Sequence, residues 1–176
     1  MRRVVGILIC LVLVVSAFAD KRGPSTAAER KRAMDVIQKL EADPMNPELA
    51  KDREWINEWV FAAPDVHVVL CTAIIKPLLD ESNTDPRKAL MLQNMLAMAA
   101  FEMKSPDKAK DAVQMQLAGA EGMLRAYGNI TRRMPMYKSE FMELLRVKQE
   151  TGRLESYVRE GTAECRAHGG GTVLKP

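Results

Sequence analysis

Histidine and cysteine are nearly missing from this chain, with two and three copies in 176 residues. Two histidines exclude a histidine-rich metal centre. Also absent are G-x-S-x-G, H-E-x-x-H and a glycine-rich phosphate loop, so the common hydrolase, metalloprotease and nucleotide-binding signatures have no residues to stand on. Aromatics make up only 5% of the chain and glycine is sparse before the last residues, while Ala, Leu and Met are plentiful; that balance favours helices over sheets. No basic block interleaved with aromatics occurs, because acidic and basic side chains alternate in stretches such as "AERKRAMD" and "DKAKDA". A nucleic-acid partner, which needs a concentrated positive face, is excluded on that ground. No period recurs along the chain, and no stretch carries enough of a known family's motif to name one.

An apolar run long enough to span a membrane is missing too. The run from Val4 to Val15, even extended to Ala19, falls short of the roughly 20 residues a spanning helix needs. Preceded by Arg2 and Arg3 and followed by the small-x-small triplet Ala17, Phe18, Ala19, it has the order of a secretory signal peptide, residues 1–19, cut after Ala19. The expected location is periplasmic or extracellular, with no stable membrane insertion after cleavage. Taking Arg2 and Arg3 from the 26 basic residues leaves 24 against 23 acidic, a formal +1 for the mature chain. That chain, Asp20 to Pro176, is 157 residues long (176 less 19), enough for one domain to bury roughly 70% of its unfolded surface.

Start and stop signals divide it into six or seven helices. A short leader, 20–25, precedes Thr26, which forms a T-x-x-E capping box with Glu29. Asn46 before Pro47 caps a second helix whose inward face carries Leu49, Ile56, Trp59 and Val60. Asp65 is placed to cap a third segment, "VHVVLCTAIIKPLL", apolar on nearly every side and ended or kinked near Pro77. Thr84 or Asp85 before Pro86 opens a helix to about Lys104, and Ser105 before Pro106 opens the next, to about Gly128. The short connection makes 86–127 an antiparallel hairpin. Two shorter helices, 137–151 and 153–165, hinge at Gly152, and 166–176 reads as a flexible tail. The expected fold is an all-α, single-domain helical bundle with a helical domain over 26–165.

Once Cys10 leaves with the signal peptide, the oxidising compartment sees two cysteines, Cys71 and Cys165, each near a histidine, His67 and His168. A disulfide is the leading reading; closing a loop of roughly 95 residues constrains the unfolded chain by about 4–5 kcal/mol. Two unlinked cysteines are the second reading. A zinc site is the third, and it needs both histidines to converge although His168 adjoins three glycines. His67 alone reads as structural. Met91, Met95 and Met98 line one side of a helix among Leu and Ala, ordinary core, and only Met134 and Met136 around Pro135 suggest a soft-metal loop. Gly119 and Gly122 leave room for a close helix neighbour, with Glu121 and Arg125 one turn apart as an i,i+4 pair or a polar ligand contact. Trp55 and Trp59, also one turn apart, read as a core anchor before a binding platform.

No catalytic, metal or cofactor residue emerges, and no cofactor is expected. The function these residues favour is a non-catalytic interaction or scaffold protein with a protein partner, presenting an apolar patch around Trp55 or Phe61. The alternative is a carrier for a small apolar ligand or soft metal, walled by Met91, Met95, Met98 and the Gly119–Gly122 region. An enzyme of unrecognised class comes last.

Overall fold

The computed structural model describes residues 22–169 and 171–173; the proposed signal peptide lies outside them. Seven α-helices occur among these residues: α1 (Ala27–Ala42), α2 (Ala50–Ala62), α3 (Thr72–Asp80), α4 (Asp85–Lys104), α5 (Ala112–Arg133), α6 (Glu140–Glu150) and α7 (Leu154–His168). Two three-residue strands, β1 (Val69–Cys71) and β2 (Gly171–Val173), pair antiparallel. The all-α bundle and its long hairpin are as the sequence indicates.

The hairpin divides the interior. On one side α3, α5, α6 and α7 bury Ile74, Leu78, Met123, Ile130, Met142, Leu145 and Val158; on the other, α1 and α2 close over Leu96, Met98 and Ala99 of α4 with Ile37, Ile56 and Trp59. Met98 and Met95 are therefore core, and Met91 is half-buried against the first cluster. The two helices can touch because α5 has glycine where α4 comes nearest. A Cβ on Gly122 would stand 2.3 Å from the Ala97 Cβ, and one on Gly119 would stand 2.7 Å from Asn94 Nδ2. Gly161 does the same for α7 against Ile74 of α3, at 2.6 Å, a close approach the sequence did not single out.

The caps at Thr26 and Thr84 form as expected, each side chain accepting a backbone N–H of the first turn; Asn46 accepts the Glu48 N–H but caps a 3-10 turn, Pro47–Leu49, that leads into α2, which has no side-chain cap of its own. The Ser105 start does not form. Ser105 ends α4, its N–H bonded to Phe101 O at 2.8 Å, and residues 106–110 follow before Asp111 caps α5. Asp111 wins because its carboxylate accepts two orphan donors, from Val113 (2.9 Å) and Gln114 (3.2 Å).

Asp65 caps no helix either. Residues 66–71 run extended, with Val66 and Val68 buried while His67 and Val69 face outward, the period of a strand. Helix begins only at Thr72 and passes through Pro77 to Asp80. Within the expected tail α7 continues to His168, Gly169 ends it at φ +62°, and Gly171–Val173 pairs with β1.

Asp65 instead ties down the leader. Burial alone would raise its pKa, but the Ser25 N–H (2.8 Å), the Arg30 guanidinium (2.5 Å) and the Ser25 hydroxyl (3.0 Å) outweigh that and hold it at about 2. A folded pKa below the unfolded value stabilises above about pH 4, and that stability is lost as pH falls toward about 2. Asp65→Asn should cost about 2 kcal/mol at neutral pH. The difference from wild type should shrink between about pH 4 and pH 2 in urea titrations; a constant difference across that range would show that Asp65 is not the titrating group.

Candidate functional site

A concave feature lies around the two cysteines. Period-2 alternation in β1 puts Val69 and Cys71 on one face and sends Leu70 between the two cores. On α7, Thr162, Cys165 and Arg166 share a face at i, i+3 and i+4 spacing. The connection after α4 and the first turn of α5 supply Ala109, Lys110, Ala112, Met115 and Gln116. Together with His67 and Gly169 these enclose a cleft of about 440 Å³.

At its floor Cys71 and Cys165 stand at disulfide distance, Sγ–Sγ 2.00 Å with Cα atoms 5.8 Å apart. The geometric condition for the leading reading of this pair is met, and α7 packs beside α3. The zinc alternative finds no geometry. His67 is half-exposed, its backbone N–H donating to Glu102 Oε2 at 2.6 Å and its Nδ1 3.0 Å from Glu102 Oε1. His168 turns its Nδ1 to its own helix at Glu164 O, 3.1 Å away. Among the described residues no group of three or more His, Cys, Asp and Glu is arranged to hold a metal ion.

The polar groups of the floor are already engaged. Gln116, 5% exposed, donates Nε2 to Val69 O at 2.5 Å and so pins β1 to α5. Thr162, also buried, donates its hydroxyl to Val158 O at 2.7 Å. Lys110 and Arg166 differ: both are exposed, and neither makes an ion pair among the described residues. No Asp or Glu lines the cleft among the described residues. The site is an apolar trough with a basic rim.

Sequence reasoning missed Lys110, Gln116 and Arg166. One signal was present: Gln116 is a long amide on the otherwise apolar stripe of Met115, Gly119, Ala120 and Met123.

The remaining sequence-derived candidates lie elsewhere. Glu121 and Arg125 share a groove of about 360 Å³ between α1, α4 and α5, but they do not form the expected i,i+4 pair. Arg125 reaches across to Glu41 of α1, Nε to Oε1 2.8 Å and Nη2 to Oε2 3.0 Å, and that bond raises its pKa further. The Glu41 carboxylate also accepts from Gln93 Nε2 (3.2 Å), so it clips α1 to both hairpin helices. Trp55 and Trp59 stack at 6.1 Å, with Trp59 buried and Trp55 half-buried under the Arg32 guanidinium, 3.8 Å from its ring. They anchor α2, as expected. Met134 and Met136 are exposed at 41% and 93%.

Perturbed groups elsewhere do structural work. Tyr127 is pushed up to about 12, by burial first and then by donating its hydroxyl to Glu143 Oε1 at 2.7 Å. Ser139 caps α6 while its hydroxyl donates to Glu81 Oε1 at 2.8 Å. No family model matches the chain, and no characterised protein or solved structure matches it either.

Proposed function

We propose that this chain is an exported, non-catalytic helical interaction or scaffold protein with a protein partner. The observation that carries the reading is on α6. Phe141, Met142 and Leu145 face the core, yet Leu144 and Val147, three residues apart on the opposite side, are 46% and 45% exposed. A helix apolar on two faces has a second surface to bury. The patch differs from the one anticipated around Trp55 and Phe61, which pack half-buried against the α1–α2 core. Support for export comes from the leader sequence and the disulfide-distance pair. Support for a non-catalytic role comes from groups with displaced pKa values such as Asp65 and Tyr127, which are tied to Ser25, Arg30 and Glu143 rather than converging on a cleft.

Affinity capture from the native source, without reductant, tests it with wild type and Leu144→Glu/Val147→Glu side by side. These are surface changes and should leave stability within about 0.5 kcal/mol each. The expected result is a partner recovered with wild type and lost with the double variant. Equal recovery with both removes α6 as the docking face.

A second reading, a carrier, is favoured by one observation: the cleft beside the cysteines has the volume of a small-molecule site, which runs from roughly 300 to 1,000 Å³.

A further inference from the structure

We propose that the cleft beside Cys71 and Cys165 binds a monomeric single-chain amphiphile with an anionic head, its chain over Val69, Met115 and the cysteine sulfurs and its head at Lys110 and Arg166. The proposal rests on the carrier reading and gives it a ligand class.

The floor decides what the body of the ligand is. Val69, Ala109, Ala112, Met115, Cys71 and Cys165 are apolar. Of the two polar residues among them, Thr162 has given its hydroxyl hydrogen to Val158 O and Gln116 one of its two amide hydrogens to Val69 O. A polar body such as a sugar or a nucleoside would lose the water on its many hydroxyls there and meet the remainder of one amide in exchange, a desolvation cost with little return. An alkyl chain loses nothing of the kind and gains in proportion to the area it buries. Met115 and the sulfurs are polarizable surfaces that adapt to a flexible chain.

The rim decides the head. Lys110 comes from the connection before α5 and Arg166 from the last turn of α7, so two separate elements each bring one cation to the same opening. His67, the third polar group of the wall, is held by Glu102. A carboxylate or phosphate head meets two unpaired donors there. A cationic head meets repulsion, and an uncharged one leaves both cations facing an alkyl chain without a partner.

The shape decides between a free amphiphile and a bilayer. The trough is concave, bounded by β1, α5 and α7, a shape that takes a chain out of solution. No described helix is long and apolar enough to cross one.

Isothermal titration of the disulfide-bonded mature protein tests the proposal with dodecanoate, dodecyltrimethylammonium and dodecyl maltoside, each below its micelle concentration, and with phosphatidylglycerol vesicles. Dodecanoate should bind at one site, at least about tenfold more tightly than either other detergent, the equivalent of one charge-assisted hydrogen bond. Lys110→Glu/Arg166→Glu should remove that preference, while Lys110→Arg/Arg166→Lys should keep most of it. Val69→Asp, at a position 36% exposed on the trough, should weaken all binding to the site. Equal affinity for the three head groups overturns the anionic head and leaves the carrier reading standing. No binding of any of them overturns both. Binding to vesicles but not to dodecanoate overturns the monomeric ligand.

Discussion

Gly122→Ala should lower the stability of this protein by about 2–3 kcal/mol and its Tm by about 5–10 °C, although alanine is the better helix former. In isolation the exchange gains about 1 kcal/mol of helix propensity. Here the new methyl would sit 2.3 Å from the Ala97 Cβ, at the closest approach of α4 and α5. Ala97 has no rotamer through which to retreat, and Gln93 O lies 3.5 Å away on the same side. Only the helices can move, and both bury side chains in two cores that would shift with them.

The double-mutant cycle isolates this cause. Gly122→Ala/Ala97→Gly transfers the methyl from one helix to the other, so it should lie within about 1 kcal/mol of wild type and show a large favourable coupling. A double variant less stable than either single one would mean that the clash is not the reason glycine stands there. Gly128→Ala supplies the contrast on the same helix: nothing lies within 4 Å of its Cβ position, and it should stabilise by about 0.5–1 kcal/mol. Chemical denaturation of the four variants measures all of this at once.

Gly119 and Gly122 were legible in the sequence because a glycine inside a strong helical pattern weakens the helix, and a close neighbour is what offsets that loss. Local devices were legible for a similar reason: Thr26 with Glu29, Asn46 with Pro47, and Thr84 with Pro86 act within one turn and need nothing distant. Where two such devices competed, local reasoning had no way to choose. Ser105–Pro106 and Asp111 both have the residues of a helix start, and the difference is the pair of backbone donors that Asp111 collects. The segment 66–71 failed on different grounds. Val66, Val68, Val69 and Leu70 are all apolar, so the strand period is hidden in the residue types and emerges only in their burial. Its partner strand comes from a glycine-rich tail with almost no pattern to see. Arg125 shows the same limit for the site: Glu121 is one turn away in sequence, but Glu41, 84 residues off, has the better geometry. The cleft itself is assembled from three segments, 67–71, 109–116 and 162–169, and no one of them reads as half of a binding site.

Full reduction of the native protein should lower its stability by about 4–5 kcal/mol and its Tm by about 10–15 °C. The two cysteines are 94 residues apart, so a bond between them removes a large share of the unfolded chain's freedom. Little should change in the folded state, because both thiols are buried and can stay in place as small apolar groups. The loss is therefore expected in the denatured ensemble, with fold and helix content unaltered at low temperature. Cys71→Ala/Cys165→Ala should match the reduced wild type and be indifferent to reductant. An intact mass two hydrogens below the dithiol value must accompany the more stable form; equal Tm with and without reductant, once that mass difference is established, would refute the crosslink as a stabilising element. Locally the effect should be largest where β1 meets β2, since the crosslink fixes the end of α7 from which β2 departs. Amides of 171–173 should lose hydrogen-exchange protection before those of α4 and α5 do. A loss of this size is a large share of the roughly 5–15 kcal/mol that holds a native domain together. A chain that loses this much stability on reduction would fold best where thiols are oxidised.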